Sequence, residues 1–182
     1  IQRLVRDVYQ RGGVIGAVCH GPAALLDVVL DDGTPLLRGR RMAALGNAEE
    51  LFLIEDARSR FPYLLQDRIL QKGGHYVEGP MYLDNTVVDG RIVTGQNPWS
   101  TWSTAEAMVR ALGHVPVARA PGRDEQAVQV MATYHRHGIA AARKARAALP
   151  EADKRLLLMH ALVAAMQGRA GDAWHLQSLA LG

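Results

Sequence analysis

The chain has 182 residues, enough for one ordinary domain with an appendage. Nearly half of them are apolar, as in a globular protein, and no run of eighteen apolar residues is present to span a membrane as a helix. The formal net charge is only +3. The basic residues are scattered apart from Arg38, Arg40 and Arg41 and a second group at Arg143, Lys144 and Arg146. Both groups read as solvated surface, because no aromatic platform or nucleic-acid motif accompanies them. With one cysteine, no internal disulfide can form, which fits a reducing, cytoplasmic setting.

The first residue is Ile1, and the opening IQRLVRDVYQRGG already has helical periodicity, with Leu4, Val5 and Val8 on one side and Gly12 and Gly13 as the stop. The expectation is therefore a piece of something longer, with any targeting segment lost alongside it. VIGAVC follows as a buried parallel strand. HGPAALLDVVL then predicts a helix with Pro22 in its first turn. A turn at DDGTP and a short strand within Met42–Leu45 lead to NAEELFLIEDARSRFPYLLQDRILQKGG, a helical stretch that Pro62 divides in two. HYVEG, MYLDNTVVDG and RIVTG read as short strands, with a hairpin-type turn at Asp89-Gly90. A helix is expected over about Ser103–Leu112.

His114–Gly122 is rich in Pro, Ala and Gly and reads as a linker. Helical patterns then cover Asp124–Leu149, Glu151–Gln167 and Asp172–Leu181. This change of texture divides the chain into an α/β portion, 1–117, and an all-α extension, 118–182. The α/β portion has too few strands to close a sheet, so a companion chain or further residues are expected to supply the rest. Leu156, Leu157, Met159, His160 and Val163 form an apolar helical face seeking a partner, either the α/β portion or another copy in a homo-oligomer. His135 and His137 stand two apart on a helix, point to different sides and make no shared metal site.

The chemistry concentrates at Ala17-Val18-Cys19-His20-Gly21. A residue on a sharp strand-to-helix turn projects its side chain into the crevice at the strand's end, and the crowded turn demands small neighbours. A helix opening at Gly21 would aim its positive end at the sulfur and favour the thiolate. The His20 backbone N–H could bind a developing oxyanion, and the His20 ring can move a proton near neutral pH. Inert packing is the commoner fate of a lone cysteine, but its place before His-Gly-Pro argues for reactivity.

AVCHGPAALL resembles the nucleophile segment of the ThiJ/PfpI superfamily, which has the class I glutamine-amidotransferase-like fold. LLRGRRMAALGNAEE, FPYLLQDRILQKGGHYVEG and VVDGRIVTGQNPWST extend the resemblance over about residues 1–113. The pattern is most similar to the branch of heat-shock-type chaperones and glutathione-independent glyoxalases, or glyoxalase III. The resemblance implies the C-terminal portion of a flavodoxin-like three-layer sandwich with a parallel sheet. It also implies a catalytic set of Cys19, His20 and Glu50, with Glu49 the alternative to Glu50, and a substrate pocket near Gly21, Gln96 and Asn97. Read without the resemblance, Glu49 and Glu50 are first-turn acids of a helix capped by Asn47. The family also places a glutamate near the sulfur and a Gly-Gly stretch at the oxyanion site, both in a region this sequence lacks. The implied activity is a lyase of the D-lactate dehydratase type that converts a small dicarbonyl, methylglyoxal, to lactate. It needs no metal or cofactor, because cysteine is the covalent partner. A holdase chaperone without catalysis and a PfpI-type cysteine peptidase or amidase are the alternatives.

Overall fold

The structure, a computed structural model, describes residues 1–182. The chain folds as two compact units, Ile1–Val117 and Ala118–Gly182.

The first unit is mixed α/β. Helix α1 (Gln2–Gln10) leads into strand β1 (Ile15–Val18). β2 (Arg41–Met42) precedes helices α2 (Asn47–Leu53), α3 (Ala57–Arg60) and α4 (Leu65–Gln71). Then follow β3 (His75–Tyr76), β4 (Thr86–Asp89), β5 (Ile92–Gly95) and α5 (Thr101–Ala111). Pro62 does separate helices, but the stretch before it is itself two short helices.

The main sheet has the order β1-β5-β4, and β2 and β3 form a separate parallel pair. β1 runs parallel to β5, with Val18 opposite Gly95. β4 runs antiparallel to β5, so the sheet is mixed rather than purely parallel. Gly90 and Arg91 alone join β4 to β5, and two residues can only reverse a strand, whereas a parallel partner needs a crossover of a dozen or more. Gly90 takes φ 58°, the left-handed conformation this tight turn requires.

Alternate residues of β1 and β5 serve two cores. Ile15 and Ile92 join Leu36, Leu37, Met42 and Ile69 in the core on one face. On the other face Gly16 and Gly95 admit α5. A Cβ at Gly16 would overlap the Met108 thioether, and one at Gly95 would lie 2.5 Å from Thr104 Oγ1. Close packing of α5 therefore depends on two residues without side chains. β1 ends the strand order on its far side, leaving a free sheet edge.

The expected helix after Cys19 is only a five-residue 3₁₀ helix, Gly21–Leu25. Its bonds span three residues, as in Ala23 N to His20 O and Leu26 N to Ala23 O. The β-branched pair Val28-Val29 then turns extended. Val29 bridges Pro35, and Val28 O accepts from Leu36 N at 2.8 Å.

The second unit holds α6 (Arg123–Ala148), α7 (Lys154–Met166) and α8 (Ala170–Leu181). Gly138, at φ 78°, breaks α6. Leu156, Leu157, His160 and Val163, expected to face an outside partner, are buried on α7, which packs on both α6 and α8. Tyr134 donates to Asp172 Oδ1 at 2.6 Å, and burial together with that carboxylate pushes its phenol up to about 12.

Candidate active site

β1 carries Cys19 to its end, where the chain turns sharply. Cys19 sits at φ 62°, a left-handed conformation that costs a non-glycine residue about 1–2 kcal/mol. Two backbone bonds hold it there. Its N–H donates to Gly95 O and its carbonyl accepts from Leu45 N, each at 2.9 Å. The second bond also fixes the segment that runs from β2 into α2. The strain is borne at the one residue whose side chain could react, as in the nucleophile elbows of hydrolases.

Three side chains meet at this turn. His20 Nδ1 lies 3.6 Å from Cys19 Sγ, and His20 Nε2 lies 2.7 Å from Glu50 Oε2. Glu50 is buried, whereas the imidazole is 56% exposed. An ionised carboxylate only accepts hydrogen bonds, so the proton of a neutral His20 sits on Nε2 and the Nδ1 lone pair faces the sulfur. The cluster thus forms a chain of thiol, imidazole and carboxylate, a geometry that lets an imidazole accept a thiol proton.

The environment of the sulfur differs from the one expected. Burial pushes the half-buried Cys19 thiol above its ordinary range, and the charges of Glu49 and Glu50 push the same way. The His20 backbone amide pulls it down, but by less than burial raises it. With no full helix behind the turn, no helix-end field is present to offset these effects. Cys19 therefore rests as a thiol. The expected result is alkylation by iodoacetamide that is slow at neutral pH and still accelerates beyond pH 9, the ordinary thiol value. A rate already level below pH 7 contradicts this assignment.

Glu49 and Glu50 are neighbours with different partners. Glu49 Oε1 accepts from Tyr82 N at 2.6 Å and from Asn97 Nδ2 at 2.8 Å, and its Oε2 accepts from Gly46 N at 3.5 Å. It is 1% exposed and does not meet His20. Instead it ties the start of α2 to the Tyr82 loop and the Asn97 loop, and so places Glu50. The N-cap of α2 is Gly46 rather than Asn47, whose amide reaches away to Asp67 Oδ1 at 2.6 Å.

The pocket residues expected from sequence fall differently. Gly21 stands at the turn, exposed, as the first residue of the 3₁₀ helix. Gln96 and Asn97 are fully buried and do not line the cleft beside His20. Gln96 bonds Gly79 N, Asn85 Nδ2 and the carbonyls of Gly79 and Pro80, whereas Asn97 bonds Glu49, Leu83 O and Trp99 N. Their amides are committed to loop backbone and to Glu49, so they support the site from behind.

A cleft of about 180 Å³ does open beside His20 and Glu50, walled by Ala23, Phe61, Pro62, Tyr63 and Leu65. Sequence reasoning missed it because FPYLL was read through Pro62 as a helix breaker and as part of the family resemblance, not as a wall of the site. Its signal was two aromatic residues flanking a proline in a loop, a place where bulky rings rarely stay exposed without a use.

No family model matches the chain. The chain is 38% identical over 117 residues to glyoxalase 3 of Candida albicans, which covers 61% of this chain and 49% of that protein. It is 36% identical over 118 residues to the glutathione-independent glyoxalase HSP31 of Saccharomyces cerevisiae, covering 62% of this chain and 49% of the relative. It therefore spans about half the length of these curated relatives. Among solved structures, glyoxalase III of Candida albicans superposes with a TM-score of 0.57 at 32% identity, over 60% of this chain and 48% of that one. Rapid Encystment Protein 24 kDa of Francisella tularensis gives a TM-score of 0.58 at 32% identity, over 61% and 48% respectively. Over roughly three fifths of its length, the chain is similar to glutathione-independent glyoxalases.

Proposed function

We propose that this chain carries the cysteine centre of a glutathione-independent glyoxalase, with Cys19 as nucleophile, His20 as base and Glu50 as its orienting acid. The observation that carries the reading is the His20 ring, bridging the sulfur and a buried carboxylate. The names of the relatives support it.

His20 Nδ1 takes the thiol proton as Sγ attacks the aldehyde carbon of methylglyoxal. The new C–S bond displaces the carbonyl electron pair onto oxygen, which receives the proton back from His20. The hemithioacetal carbon then loses its proton to the restored base, its electron pair forms the C=C bond, and the former ketone oxygen takes that proton, giving an enediol. Protonation of the neighbouring carbon, with loss of the hydroxyl proton on the sulfur-bearing carbon to the base, leaves a thioester of lactate. Water cleaves the C–S bond and frees the thiol. One carbon is oxidised and its neighbour reduced, so the net change is the addition of one water and no external oxidant is consumed.

The sheet belongs to this reading as one half of a flavodoxin-like sandwich. The free edge of β1 lies beside the nucleophile, and further strands of a companion segment or chain dock there, supplying the rest of the crevice. Residues 118–182 are a helical extension outside that sandwich.

The test is lactate formation from methylglyoxal by the purified chain without glutathione. Lactate as the product supports the reading. No lactate, with the fold intact and with the remaining half of the sheet supplied in trans from a relative, overturns it.

A further inference from the structure

The helical unit has a cleft of its own, built by residues that the cysteine centre does not use. It opens at the C-terminal ends of α6 and α8, has a volume of about 270 Å³, and is lined by Arg143, Arg146, Ala147, Ser178, Leu179 and Gly182. Two of these residues are cations and none is an acid.

Arg146 anchors the cleft. Only 9% of it is exposed. Its Nε donates to Leu179 O at 3.2 Å, and its Nη1 donates to Leu149 O at 2.9 Å and to Pro150 O at 3.1 Å. These bonds fasten the end of α6 to the last turn of α8. They occupy one side of the guanidinium fork. Nη2 makes no such bond and is not sealed from solvent, so it is the edge left to face the cleft. The three partners are neutral carbonyls. The ion-paired acids of this unit serve other cations, Glu125 binding Arg119 and Asp172 binding Arg169. A buried charge with no counter-charge is costly. Arg143, three residues earlier, adds to that cost, because like charges at this spacing are neighbours on a helix and repel. An anion in the cleft relieves both.

Ser178 restricts the ligand further. Its Oγ donates to His175 O at 2.7 Å, so only lone pairs remain for a ligand. A phosphate dianion also offers only acceptors, so Ser178 suits a hydroxyl donor beside the phosphate rather than the phosphate itself. A cavity of about 150 Å³ suffices for a benzene ring. The 270 Å³ present therefore has room for a phosphate and a short carbon chain.

We infer that this cleft binds the phosphate monoester of a small polyol, with the phosphate between Arg143 and Arg146 Nη2 and a hydroxyl on Ser178 Oγ. Guanidinium groups are the side chains best matched to phosphate oxygens. The site lies wholly within the second unit and does not depend on the glyoxalase reading.

Calorimetric titration of the full chain with glycerol 3-phosphate, inorganic phosphate and glycerol, in a buffer free of phosphate, tests the inference. The ester should bind several-fold more tightly than inorganic phosphate and at least about 10-fold more tightly than glycerol. Arg143→Ala is the main variant, because Arg146 also fastens two helices. It should weaken the ester about 10-fold, the loss expected for one charged hydrogen bond. Ser178→Ala should weaken the ester several-fold and leave inorganic phosphate unchanged. No binding of the ester at millimolar concentration, or binding that Arg143→Ala does not move, overturns the site. Inorganic phosphate binding as tightly as the ester, with Ser178→Ala without effect on either, overturns the polyol assignment.

Discussion

Cys19→Ala is expected to abolish lactate formation, by on the order of 10³-fold or more in kcat, while the protein remains folded. The size follows from the proposed chemistry. Without sulfur no covalent adduct forms, and methylglyoxal is left with an imidazole and a carboxylate that cannot stabilise a hemithioacetal. The substitution is a clean probe for a structural reason. Alanine keeps a Cβ, so the φ of 62° at this position is no more strained than before. The backbone bonds of residue 19 to Gly95 and Leu45 involve no side-chain atom and persist. The measurement is lactate release by native and substituted chains, with circular dichroism to confirm the fold. Retention of more than a tenth of the rate would remove Cys19 from the mechanism.

Glu50→Gln is the second large effect, an expected loss of about 10²–10³-fold in kcat with little change in KM. The carboxylate that accepts from His20 Nε2 at 2.7 Å fixes the tautomer. An amide in its place can donate to Nε2 and draw the ring proton to Nδ1. The atom facing the sulfur would then be unable to take the thiol proton. The effect should shrink at high pH, where the thiol ionises unaided. The sign follows from the raised thiol value, since more of Cys19 becomes thiolate only as pH rises past the ordinary 9.0. Glu49→Gln makes the contrast. It confronts three donors, Gly46 N, Tyr82 N and Asn97 Nδ2, with a group that has only one acceptor atom. Its expected signature is a stability loss of about 2–3 kcal/mol in urea unfolding rather than a tautomer-specific loss of turnover.

Particular residues show what the sequence disclosed and why. The turn at Cys19 was legible because Ala17 and Gly21, two residues before and after it, are small, and a crowded strand end admits little else. The β4–β5 hairpin was legible at Asp89-Gly90, since only a residue comfortable at positive φ fits so short a connection. The choice between Glu49 and Glu50 was open in the sequence alone. Adjacent residues on a helix point about 100° apart, and which one turns to His20 depends on loops far along the chain. Tyr82 and Asn97, the partners of Glu49, are 33 and 48 positions away.

The thiol's ionisation was misjudged for a related reason. Apolar periodicity in HGPAALLDVVL promised a helix, but the β-branched Val28-Val29 pair is drawn into a bridge with Pro35. Tertiary pairing overrode local propensity, and the expected helix field went with it. Burial and two nearby carboxylates, both consequences of folding, then set the direction of the shift. In α7 the apolar face was read correctly as apolar, but its partners are the neighbouring helices α6 and α8.

Peptide mass mapping of the chain quenched in acid during methylglyoxal turnover tests whether Cys19 bonds the substrate while His20 moves the protons. An acid-stable acyl adduct is expected on the Cys19 peptide of the native chain, with far less of it in Glu50→Gln and none in Cys19→Ala. Lactate forming at the native rate while the Cys19 peptide stays unmodified, with adducts only on arginine or lysine, would contradict it.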